Sequence, residues 1–461
     1  MKYMPVFVLS VMIALSIHAT PQGYASNSSS TETLPKVYAF TNGKWFDGRT
    51  FQDTIFYVKN GFLTKTRPPV VDETINLKGQ FVLPPFGEAH THNVEGPWNI
   101  DQTIQTYLRH GVFYVKNLNN IREFAEQIQN KINNPQSIDV AFAHAGITSS
   151  DGHPIRLYEE VLRLHRYEPI IGKKTPGWFN NRGYFVIDSR QDLDRTWPKI
   201  VAGKPDFLKI YIGQISPVAP HAHAPQARFH RGLYANLIAP IVRRAHKNGL
   251  RVSAHVETAA DFRQAVQSGV NEIAHTPGWY IPTVEQASET ILQKHDADLA
   301  LQHNVTVVST TVASLISPSE QHQSDADPHA HSSESQTDHH NTHAQHIQQA
   351  AEKIQRDNLQ LLHQRGVKVA IGSDHAETSR AEALHLHNLE IFDNLTLLKL
   401  WCENTAATIF PHRKIGKLTE GYEANFIVLQ GDPIQDFEQI RHITLRVKHG
   451  KPLFITDPHA H

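Results

Sequence analysis

His90-Thr91-His92 sets two imidazoles two residues apart at the end of an apolar run. On a β-strand, residues two apart share a face, so both rings can point the same way. Lys209 stands inside an otherwise apolar run, Phe207-Leu208-Lys209-Ile210-Tyr211, where an amine must snorkel, pair with a carboxylate or be chemically modified. His255 and His275 each close a β-prone run, and Asp374 follows Ile371-Gly372-Ser373. Imidazole and carboxylate are metal-binding groups, and a divalent ion held by them can activate water for hydrolysis. Any one of these residues alone is unremarkable in a chain with 31 histidines against 25 glycines. Their shared position at strand ends is what points to a metal centre.

The elements that must position them follow from the rhythm of the chain. Apolar runs at Val112–Val115, Val140–Ala143, Phe207–Ile212, Leu250–His255, Glu272–His275, Val305–Ser309 and Val367–Ile371 alternate with helical stretches, including Thr258–Ser268. With the run ending at His90 they make eight βα units, the arithmetic of an α/β (β/α)8 TIM barrel, whose active site lies at the C-terminal ends of the strands. The barrel is expected over residues 85–412. Strand-like runs at Val37–Phe40, Ile55–Val58 and Gln80–Leu83, with turn signals Asn42-Gly43, Asp47-Gly48 and Asn60-Gly61, precede it. Further runs at Ile415–Leu418, Asn425–Leu429 and Ile443–Val447 follow it. Residues 36–84 and 413–456 are therefore expected to form one small β-sandwich from both chain ends.

Composition narrows the function. The 461 residues carry 44 Lys+Arg and 45 Asp+Glu, a net charge of −1, which lacks the basic excess of a nucleic-acid binder. A single cysteine, Cys402, excludes an intramolecular disulfide and cysteine-rich zinc modules. Lys2, the uncharged run Pro5–Ile17 and Gly23-Tyr24-Ala25 read as a signal peptide over residues 1–25, cut before Ser26. The run is too short to span a bilayer. A periplasmic or secreted protein without stable membrane insertion is expected, and a homo-oligomer remains open. Residues 317–346 contain no Lys or Arg and hold His322, His329, His331, His339, His340, His343 and His346. That segment reads as a disordered loop after the seventh barrel strand, either a zinc-gathering device or a solvated spacer. A second group, His221, His223 and His230, follows the fourth strand.

The ordered set Phe81 to His92, Asp206 to Tyr211, Ala254-His255, Ala274-His275 and Gly372-Ser373-Asp374 resembles the amidohydrolase superfamily, in the imidazolonepropionase- and prolidase-like branch with a bridging lysine. Asn404-Thr405-Ala406-Ala407 and Ala424–Val428 are similar to that superfamily's last helix and returning strands. The resemblance implies a binuclear centre, most often zinc. His90, His92 and Asp374 would hold one ion, His255 and His275 the other, with Lys209 bridging as a carbamate formed with carbon dioxide. It also implies that Asp374 acts in proton transfer during hydrolysis of a carbon–nitrogen bond in a small-molecule amide, cyclic amide or dipeptide. His153, in the loop Gly146–Pro154, would contact substrate or serve as a turn residue. Tyr211 would bond an oxyanion or pack in the barrel. Trp178, Phe179 and Arg182 fall in a region that would cover the pocket. Glu88 stands where many members carry Asp, and Pro85-Phe86-Gly87 replaces a more usual Pro-Gly-Phe order. A lactone or phosphotriester hydrolase on the same metals, or a periplasmic zinc-buffering protein, are the competing readings.

Overall fold

The computed structural model describes residues 36–213, 231–279, 281, 285–315, 337–453 and 455. The signal-peptide region, His221, His223, His230, and His322, His329 and His331 lie outside them.

Every barrel strand expected from the sequence is present. Phe86–Thr91, Val112–Asn117 and Asp139–Phe142 form a three-stranded parallel sheet. A seven-stranded parallel sheet runs in the order Tyr184–Val186, Gly146–Thr148, Leu208–Tyr211, Val252–His255, Glu272–Ile273, Thr306–Val308, Lys368–Ala370. The two sheets meet through individual backbone bonds, not a continuous ladder. At one edge Ala89 N donates to Ile371 O at 2.9 Å and Asp374 N to His90 O at 2.7 Å. At the other, Asp206 N donates to Phe142 O at 2.9 Å. The strands are short and buried on both faces, as parallel strands covered by helices must be.

The last turn of chain before the C-terminal strands fixes the junction. Phe86 and Trp401 stack with ring centroids 3.6 Å apart, and Trp401 Nε1 donates to Gly87 O at 3.0 Å. Thr405 Oγ1 accepts from Ile371 N at 2.9 Å and donates to Leu400 O. First strand, last strand and last helix are thereby locked together, directly beneath His90 and Asp374.

Both chain ends share one eight-stranded mixed sheet. Phe81–Leu83 pairs in parallel with Tyr38–Phe46 on one side and antiparallel with Phe426–Leu429 on the other. Two local expectations are corrected. Asn42-Gly43 is not a turn but a bulge inside the strand Tyr38–Phe46, where the register against Phe51–Lys59 shifts and Asn42 takes φ 53°. Ile415–Leu418 is not a strand; Gly416 has φ 79°, and a Cβ there would lie 2.7 Å from Cys402 O, so close approach to the last helix shapes this segment.

The histidine-rich segment is also revised. From Thr337 the chain is helical, and the helix Thr337–Gln364 takes in positions 337–346, where a loop is expected. Ile347, Ala351 and Ile354 anchor it against Ile281 and Ala287. Adding a residue to an existing helix costs far less than starting one, so an anchored helix can extend into polar sequence. Among the described residues no helix is long and apolar enough to cross a membrane.

Candidate metal centre

His90 lies on the first barrel strand and is 1% exposed. Its Nδ1 lies 2.8 Å from Ala274 O. A carbonyl can only accept, so Nδ1 carries the proton and Nε2 keeps its lone pair. Nε2 faces Asp374 Oδ1 at 3.5 Å. His92 repeats the pattern two residues on: Nδ1 is 3.2 Å from Glu95 Oε1, and Nε2 is 3.5 Å from Asp374 Oδ1. His90, His92 and Asp374 each offer a ligand atom, all within 4.8 Å of one another. His90 Nε2 and Asp374 Oδ1 are buried and have no hydrogen-bond partner. Buried polar atoms are nearly always paired, and a cation between these is the partner they fit.

His255 and His275 stand at the ends of neighbouring parallel strands. The His90 and His275 ring centroids are 4.4 Å apart, and those of His255 and His275 4.7 Å. His275 Nδ1 lies 3.2 Å from Thr310 Oγ1 and 4.0 Å from Asp374 Oδ2. His255 Nε2 lies 3.4 Å from Glu257 Oε1. Lys209 pairs in register with Ser253 and Tyr211 with His255, so lysine and tyrosine share the strand face of that histidine. Lys209 is 1% exposed, with its amine 5.4 Å from the Tyr211 ring centroid. The sequence-predicted residues are thus brought together at one end of the parallel strands. His153 joins them: its ring stacks on His255 at 5.0 Å and meets Tyr211 edge-on at 5.0 Å.

The electrostatics suit cation binding. Burial holds the His90 and His275 imidazoles well below their usual range, so their rings are neutral. Burial works against an Asp374 carboxylate, but the favourable electrostatics of the surrounding His375, His90, His92 and Lys209 side chains outweigh it and hold the group well below the usual carboxylate range. Burial pushes the Lys209 amine down to about 7, which leaves much of it neutral and nucleophilic near neutral pH. Two backbones here are strained. Asp374 takes φ 56° and Thr310 φ 47°, left-handed conformations that cost a side-chain-bearing residue about 1–3 kcal/mol and cluster at functional sites.

Other residues support the group, among them Glu382, Trp279 and His375, which the sequence pattern does not mark. Glu88, wholly buried, accepts from Ser373 N at 2.9 Å, Ser373 Oγ at 2.6 Å and His90 N at 3.2 Å. The departure from Asp at this position still ties the first strand to the residue before Asp374. Glu382 accepts from Thr311 N and Oγ1 and Val312 N, fixing the loop that carries Thr310. Trp279 stacks on His275 at 4.4 Å, and His375 on His92 at 5.3 Å. Glu95, three residues beyond His92, is the one partner that sequence spacing could have offered. Phe179 and Trp178 pack in an aromatic cluster, and the Arg182 guanidinium sits 4.8 Å from the Trp178 ring.

The profile of the Amidohydrolase family matches residues 82–453. The chain belongs to the amidohydrolase family. It is a hydrolytic enzyme acting on small molecules, with the His-His-Asp group of a metal-binding hydrolase. A search of curated proteins returns no match. Among solved structures, this amidohydrolase resembles another amidohydrolase at TM-score 0.67 and 18% identity, over 92% of this chain and 100% of that one. A prolidase complexed with N-methylphosphonate-L-proline aligns at TM-score 0.66 and 16% identity, covering 91% of this chain and 100% of that one. A. niger ochratoxinase aligns at 0.65 and 14%, covering 91% and 96%. These similarities establish a TIM-barrel-like α/β fold.

Proposed function

We propose that this amidohydrolase cleaves carbon–nitrogen bonds in amide, cyclic amide or dipeptide-like small molecules, using two divalent metal ions, most readily zinc. The observation that carries the proposal is the convergence of His90, His92 and Asp374 within 4.8 Å, with two buried ligand atoms left unpaired. His255, His275 and Lys209 beside them supply donors for a second ion. Reaction of the neutral Lys209 amine with carbon dioxide forms an N–C bond and releases a proton to solvent, turning a costly buried cation into an anionic ligand. Names such as prolidase and Xaa-Pro dipeptidase among the structural neighbours support the substrate class.

Bound metal would supply Lewis acidity toward the carbonyl and a water of lowered pKa. The chain's own residues do the rest. Asp374, kept as a carboxylate by the favourable electrostatics around it, accepts the proton of the attacking water on a carboxylate oxygen and delivers it to the leaving nitrogen. Burial keeps the Tyr211 hydroxyl protonated, so it is a hydrogen-bond donor for the developing oxyanion. His153, between Tyr211 and His255, is placed to contact substrate. The apolar run and small residues of 1–25 direct the enzyme to the periplasm or the medium.

The deciding experiment screens the zinc-loaded mature enzyme against dipeptides, acylated amino acids, cyclic amides, lactones and phosphotriesters. Turnover of an amide, lost in Asp374→Asn, is expected. Turnover of lactones or phosphotriesters alone would overturn the carbon–nitrogen reading.

A further inference from the structure

The segment after His153 builds a lobe of its own. Leu157–Tyr167 is a wide helix with i→i+5 bonding, a form that is rare and concentrated at functional sites. Tyr158, Tyr167, Phe179 and Tyr184 build its own aromatic core with Ile121 and Phe124, separate from the main core. From that core Tyr167, wholly buried, donates its hydroxyl proton to Glu95 Oε2 at 3.2 Å. The other oxygen of the same carboxylate, Oε1, lies 3.2 Å from His92 Nδ1. Glu95 is 3% exposed. A second anchor reaches the opposite side of the site. Asn119 Nδ2 donates to Tyr158 Oη at 2.7 Å and to Gly183 O at 2.9 Å, and its Oδ1 accepts from Gly146 N at 2.6 Å. Gly146 abuts the Tyr211 ring so closely that a Cβ there would lie 2.5 Å from it.

We infer that Glu95 is a positioning residue for His92, and that the aromatic lobe holds it in place through Tyr167. This rests on the reading of His92 as a metal ligand. A carboxylate can only accept from Nδ1–H, so Glu95 fixes the tautomer that leaves the Nε2 lone pair facing Asp374. It also stops the ring's rotation. His92 is the ligand that most needs this: its side chain is 19% exposed, against 1% for His90, whose ring is locked by Ala274 O. The lobe therefore sets metal affinity, although none of its residues is itself a ligand.

The test measures zinc affinity by chelator competition, together with thermal unfolding of the metal-free full-length protein. Glu95→Gln, which replaces an acceptor-only carboxylate by an amide of mixed donor and acceptor, should weaken zinc binding about 10- to 100-fold, the usual effect of altering an outer hydrogen-bond partner, with metal-free unfolding unchanged. Tyr167→Phe should weaken it in the same direction by a smaller factor. Because Tyr167 acts through Glu95, the double variant should bind no more weakly than Glu95→Gln alone. Wild-type affinity in both single variants, or effects that multiply in the double variant, would overturn the relay. His92→Ala separates the two levels. If it retains wild-type zinc affinity, the ligand assignment falls and the positioning role with it. If it loses zinc while Glu95→Gln does not, only the positioning role falls.

Discussion

At the scale of single residues, the centre depends on close approach as much as on ligand chemistry. A Cβ on Gly372 would lie 2.8 Å from His90 Cβ, 2.8 Å from His90 N and 2.6 Å from Val308 Cγ1. Gly372→Ala must therefore push the last strand away from the first. A loss of about 1–3 kcal/mol in stability is expected from such overpacking, with a lower zinc content per chain measured by elemental analysis. Asp374→Asn keeps the side-chain shape but loses the proton acceptor, and kcat should fall by about 100-fold or more. Lys209→Ala should abolish turnover, with partial return when a short-chain carboxylic acid is supplied to occupy the bridging position. Full activity in that variant would refute the bridge. The proposed ligand residues were legible because strand-end placement and two-residue spacing are local properties of the chain. Tyr167 was not: it meets Glu95 across 72 residues, and no local pattern encodes such a contact. Thr310 is a second case, since it lies beside His275 with a left-handed backbone while the next two residues are held by Glu382 from a different element.

At the scale of elements, the helix Ala259–Gln267 shows how local signals become site geometry. Thr258 and Asp261 form a reciprocal capping box that starts the helix three residues after His255. Thr258→Ala should cost about 1 kcal/mol in chemical denaturation. The junction between the helix Ile100–Arg109 and the start of the helix Ser379–Asn388 carries a pH dependence. His110 bonds Thr378 Oγ1 through Nδ1 at 2.8 Å, and Glu377 lies 3.9 Å from its Nε2. Burial, then the charges of Arg380, Arg109, Arg446 and Arg441, push its imidazole down to about 3 from 6.5. Between those values the unfolded chain binds a proton that the folded chain refuses, so stability falls as pH drops from 6.5 toward 3. His110→Gln should flatten that part of the pH–stability curve, and an unchanged slope would show that other groups control it. The helix Thr337–Gln364 marks where sequence reading ran short at this scale. Its polar N-terminal part lacks an apolar stripe, while Ile347, Ala351 and Ile354 dock the helix as a whole.

At the scale of the whole molecule, the eight expected barrel runs and the return of the chain to its starting sheet were readable from alternating apolar runs, but Gly146–Thr148, read as loop, and Tyr184–Val186 add two further strands to the parallel sheets. The individual bonds that join the two parallel sheets were not, because they connect strands distant in sequence. The helix boundary at Thr337 sets the limit for a deletion in the histidine-rich segment. Removing residues 317–336 spares the helix, and the shortened enzyme should retain about two zinc ions per chain. Loss of all tight metal in that variant would move the binding site into the histidine-rich segment.

The bond between Glu88 and Ser373 spans 285 residues, and Phe81–Leu83 finds its second neighbour only in Phe426–Leu429. A ribosome must therefore finish nearly the whole polypeptide before the first histidine pair can meet its aspartate. A chain that ends before Asp374 lacks one of the proposed ligands altogether. If export delivers the chain unfolded, metal loading waits until synthesis is over and the last strand has crossed.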